Sequence, residues 1–101
     1  MSLKDKILAK KLKSKEITVD GEKIRIRELT GSERIGLSDI EDSRELAAFV
    51  FLKAADLGEP VSEDDFVKMF DLDVGTVTEI IQEIYDLSGL GIDKLEEAEK
   101  N

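Results

Sequence analysis

Cysteine and histidine are both missing from the 101 residues, and so is tryptophan. Without cysteine there are no disulfides, no thiolate metal ligands and no thiol nucleophile. Without histidine the usual general base, proton shuttle and nitrogen ligand are gone together. Proline occurs once and aromatic residues number five, four Phe and one Tyr. The longest apolar run, "LAAFVFL" at 46–52, is far shorter than a bilayer span. The lysine-bearing start has no apolar stretch followed by a small-residue cleavage site, so no signal peptide is expected.

What is present is charge. Charged residues make up 39% of the chain and hydrophobic residues 41%, the balance of a soluble domain with a heavily charged surface. The net charge of −9 is spread unevenly. Residues 1–34 carry ten Lys/Arg against six Asp/Glu, a net of +4, and residues 35–101 carry five against eighteen, a net of −13. An acidic body repels nucleic acid. The asymmetry suits head-to-tail contact between copies or docking on a basic partner, and a solvated surface explains it equally well.

The hydrophobic pattern predicts an α+β fold: a mostly helical single domain with one N-terminal β-hairpin and four or five helices in a single layer packing. Residues 1–14 form a basic amphipathic helix segment. Residues 15–92 form the hairpin and helical core, and 93–101 a charged tail expected to fray. In the first segment "LKDKILAKKLK" at 3–13 reads as a short helix with a narrow stripe of Leu3, Ile7, Leu8 and Leu12. With no aromatic anchor the stripe fits its own domain or a protein partner better than a membrane.

Ile17 and Val19, then Ile24 and Ile26, alternate with polar residues around Asp20-Gly21, a strong hairpin signal. A two-residue loop sets Ile17 opposite Ile24 and leaves Val19 facing Glu22. A four-residue loop, Asp20 to Lys23, pairs Val19 with Ile24, Ile17 with Ile26 and Glu16 with Arg27. The second register is the one expected, because it matches more apolar and charged pairs. Thr30 and Glu33 spell a capping box, with Leu29 placed as a staple residue. Asp42 with Glu45 starts a main buried helix running through Ala55, and "DLGEP" at 56–60 ends it. Ser62 caps a helix over "EDDFVKMF", Asp73 caps a last helix over about 74–88, and "SGL" at 88–90 reads as a glycine C-cap.

Chemistry finds little to use. "SEDD" at 62–65 and "DLDVG" at 71–75 are dense in carboxylates, but neither fits a calcium loop. Counted from Asp71, positions 5, 6 and 12 fall on Gly75, Thr76 and Gln82; counted from Asp56, positions 3 and 5 fall on Gly58 and Pro60. Helix capping accounts for these acids without a metal. "GSERIG" at 31–36 lacks the Lys-Ser/Thr of a phosphate loop, and no acid is embedded in an apolar segment that would raise its pKa. No catalytic residue, cofactor site or metal site is assigned. Arg25 and Arg27 lie beside Glu22 and Glu28 without a stacking face of aromatics, so no nucleic acid partner is expected.

The order of elements does have a likeness. A lysine-rich start, the hairpin "ITVDGEKIRIREL" running into "LTGSER", the apolar "ELAAFVFLKAADLGEPV" with its D-x-G-x-P turn, a short acidic helix and a closing "YDLSGL" follow one another. Over about residues 15–92 this series resembles the tail assembly chaperones of long-tailed bacteriophages and prophages. The resemblance implies a non-enzymatic protein of the bacterial host cytoplasm, absent from the mature virion. Such a protein binds the long tape measure protein, keeps it soluble and helps recruit tail tube protein, with self-association as a further possibility. It also implies exposed apolar surface, for which Leu29, Phe66, Phe70, Tyr85, Leu90 and Ile92 are the candidates; burial in the core is an equally open reading for each. The competing class is a small acidic regulator or DNA mimic acting on a nucleic-acid-binding protein, motivated by the −13 body.

Overall fold

The computed structural model describes residues 2–90, so Ile92 and the charged tail 93–101 lie outside the described residues. The fold is α+β. In chain order it runs α1 (Leu3–Leu8), β1 (Ser14–Val19), β2 (Glu22–Arg27), α2 (Gly31–Leu37), α3 (Ser43–Ala54), β3 (Ala55–Asp56), α4 (Glu63–Leu72) and α5 (Val74–Leu87).

The hairpin forms with the tighter of the two registers. Asp20 (φ 51°) and Gly21 (φ 78°) are both left-handed, the geometry of a two-residue type I′ turn. Ile17 therefore faces Ile24, Val19 faces Glu22, and Glu16 faces Arg25 rather than Arg27. The expected four-residue loop is corrected by the turn, not by the apolar pattern. The two registers differ by two residues, so each keeps Ile17, Val19, Ile24 and Ile26 on one face. The twist of a type I′ turn matches the strands and decides between them.

A third strand was not foreseen. The main helix stops at Ala54, one residue short of the expected Ala55, because Ala55 turns extended and pairs with Ile26 while Asp56 pairs with Arg25. The antiparallel sheet has the order β1-β2-β3, which leaves β1 with a free edge and protects part of β2. Asp56 also accepts the Gly58 N–H at 2.8 Å, and Gly58 (φ +85°) completes the turn.

Packing is in two layers, not one. The buried sheet face of Val19, Ile24 and Ile26 lies on α5, and α3 and α4 pack beside α5 behind it. The core joins these strand residues to Leu29, Val50, Phe51, Ala54, Phe66, Val77, Ile80, Ile81 and Ile84. Lys15, on the same strand face as Ile17, reaches Glu83 of α5 at 3.0 Å.

The caps follow the sequence closely. Thr30 and Glu33 make the capping box, Ser62 and Asp65 make a second, and Asp42 and Asp73 cap α3 and α5 with their side chains. Leu29 has no apolar partner at the fourth helical position, which is Arg34. Its carbonyl instead accepts the Arg34 Nε at 3.3 Å, and its side chain belongs to the core. At the end of α5, Gly89 (φ +77°) supports a Schellman motif: Leu90 N–H donates to Tyr85 C=O at 2.8 Å and Gly89 N–H to Asp86 C=O at 3.1 Å. Leu90 packs against the core.

Candidate interaction surface

An open groove of about 600 Å³ lies between α3 and α4. Its origin is the apolar character of α3. Val50, Phe51 and Ala54 supply the buried face of that helix, and Ala48, Phe49 and Leu52 are left only half-buried on its other flank. A helix apolar on both sides needs a second partner, and α4 covers only part of it. Phe66 forms the floor, Val67 the α4 wall and Ile40 one end. Arg44 and Lys53 with Glu45 and Glu63 supply charges of both signs around the apolar lining. The Lys53 ammonium lies 5.9 Å from the centre of the Phe49 ring, a cation–π contact over the groove wall.

The floor belongs to an aromatic cluster. Phe66 packs against Phe51 with ring centres 5.3 Å apart and against Phe70 at 5.8 Å, both tilted. The groove thus has an aromatic base and a polar rim, the arrangement that accepts the apolar face of an amphipathic helix.

The six sequence candidates do not converge on it. Leu29 (1% exposed) and Phe66 (0%) are core residues, so neither offers free surface; Phe66 contributes only the groove floor. Phe70, Tyr85 and Leu90 are half-buried, packed against the core and outside the groove lining. Ile92 lies outside the described residues. The residues missed were Phe49, Leu52 and Val67. For Phe49 and Leu52 the signal was present in the all-round apolarity of α3, which the sequence reading assigned to the core; Val67 stands on α4.

Other apolar surface is concentrated in the N-terminal arm. Helix α1 ends at Leu8, short of the expected residue 13, and buries nothing; Leu3, Ile7 and Leu8 are 72%, 55% and 72% exposed. Leu3, Ile7 and Leu8 are therefore not spent on their own domain, whereas Leu12, beyond the helix, borders a concavity with Arg25, Ile26 and Ala54. Leu72 and Val74, either side of the Asp73 corner, are also exposed.

The perturbed ionisable groups sit away from the groove and serve the fold. Arg27 grips Glu33 through two hydrogen bonds, Nη1 to Oε1 at 2.8 Å and Nη2 to Oε2 at 3.0 Å, and Thr30 N–H donates to Oε1 at 2.8 Å. The Arg27 bond, opposed by burial and reinforced by the Thr30 N–H, holds the Glu33 carboxyl down to about 2 from 4.5, and Glu33 raises Arg27 in turn. Hydrogen bonds from Thr76 lower Asp73, and burial raises Tyr85. Among the described residues no three or more carboxylates gather as a metal site would need, and no helix is long and apolar enough to cross a membrane.

Comparison of the chain with protein-family models, curated proteins and solved structures gives no match.

Proposed function

We propose that this protein is a non-enzymatic assembly chaperone of the phage tail type, acting in the bacterial host cytoplasm and absent from the finished virion. It holds a long, amphipathic helical protein, the tape measure protein, in soluble form and helps bring tail tube protein to it. The observation that carries the reading is the α3–α4 groove, whose half-buried Phe49 and Leu52 face outward above a Phe66 floor. Such a surface suits an apolar helix stripe, and the charged rim keeps the empty groove compatible with water. The order of hairpin, capped helices and closing turn described above supports the same reading.

The acidic-regulator reading has less support. Asp42, Asp56, Asp65 and Asp73 each accept a backbone N–H of their own cap or turn, so these carboxylates serve local structure. A mimic needs them arrayed outward at phosphate-like spacing. Co-expression with the tape measure protein, followed by purification at high salt, tests the proposal. The chaperone reading predicts a soluble complex that survives the salt. A partner that stays insoluble and unbound overturns it.

A further inference from the structure

We infer that the α3–α4 groove of one copy receives the α1 arm of a second copy, so that the chain guards its own docking surface. This rests on the groove being a docking site, and it adds the occupant present when no client is bound.

Among the described residues two surfaces are left without partners, and they complement each other. The arm carries a narrow stripe of Leu3, Ile7 and Leu8, bare in its own chain. Around that stripe, residues 1–13 hold five lysines against the single acid Asp5, a net of +4. The groove has apolar walls in Phe49, Leu52 and Val67. It is set in an acidic part of the chain: residues 39–73 hold eleven Asp/Glu against three Lys/Arg, a net of −8. The rim itself carries both signs, with Glu45 and Glu63 open to the arm's lysines beside Arg44 and Lys53, and the opposite net charges of the arm and of the segment that bears the groove steer the two together. In the same chain the arm makes no such contact, since Leu3 and Leu8 stay exposed, so the occupant is a second copy. A reciprocal pair would fill both grooves with both arms, closing the assembly rather than propagating it.

A six-residue helix covers little area, so the contact is weak. That weakness suits its role, because a longer amphipathic client covers more of the groove and displaces the arm.

Sedimentation velocity of the full chain, with no client present, tests the inference. The wild type is expected to shift from monomer toward dimer with rising concentration, and less so with added salt. Two full-length variants separate the surfaces. Arm variant Leu3→Glu/Ile7→Glu/Leu8→Glu and groove variant Glu45→Lys/Val67→Lys alter exposed residues only, so both keep the fold. Each alone is expected to associate about tenfold or more weakly than wild type. An equimolar mixture of the two is expected to form a 1:1 complex, since one supplies an intact groove and the other an intact arm. A wild type monomeric at every concentration, or an arm variant that associates like wild type, or a mixture that stays monomeric, overturns the inference. Client capture by a chain that never self-associates would leave the chaperone reading standing and remove the arm alone.

Discussion

Ser88 is the buried polar side chain among the described residues, and its Oγ accepts the Leu29 N–H at 2.9 Å, tying the exit of the hairpin to the end of α5 across 59 residues of sequence. Replacing it with alanine leaves that buried N–H without a partner, at a cost of about 1–3 kcal/mol. Urea unfolding of Ser88→Ala is expected to show a lowered midpoint of that size with an unchanged slope. Nothing in the sequence around Ser88 announces this role, because its partner is distant in the chain and the local pattern reads only as a C-cap. Glu33 is the opposite case, since the T-x-x-E spacing exposed its cap at once while its grip on Arg27 needed the folded hairpin. Its carboxyl is depressed to about 2 from 4.5, so its contribution is fully present above pH 4.5 and is lost as pH falls through about 2. Glu33→Gln is expected to cost about 1 kcal/mol at neutral pH, the partial exposure of the pair limiting its worth. In unfolding experiments across that window the variant should lose less stability than wild type; an equal loss would remove Glu33 from the acid response.

At the scale of elements, caps and turns were the most legible features, because each is decided within a few residues. Thr30, Asp42, Ser62, Asp73 and Gly89 all stand where the sequence placed them. Gly89→Ala puts a side chain on a left-handed residue and is expected to cost about 1 kcal/mol, read as a drop in thermal midpoint. Failures came where two levels of structure compete. The hairpin register turned on backbone twist at Asp20-Gly21, to which cross-strand pairing is indifferent when the alternatives differ by two residues. Strand β3 is two residues long and could not be told from a helix end by periodicity. Helix α3 was rightly placed at the centre, but its apolar outer flank was read as core. The difference is visible only once α4 is seen to leave Phe49 and Leu52 half-covered.

For the molecule as a whole, basic arm and acidic body are separate parts, and the groove lies in the acidic one. Binding of an apolar helix there should be governed by contact area, with charge affecting mainly the rate of encounter. The helical content and hairpin were legible from the sequence, but the interaction surface was not, since it arises from how three helices divide the apolar surface of α3. The most direct measurement is the affinity of the purified chain for an amphipathic segment of the tape measure protein, titrated at low and at high salt beside Val67→Lys. Val67 is exposed on the groove wall, so the variant should keep wild-type stability. The account predicts binding that persists at high salt and weakens about tenfold or more in Val67→Lys, about 1.4 kcal/mol. Binding that vanishes with salt and is untouched by Val67→Lys would contradict it.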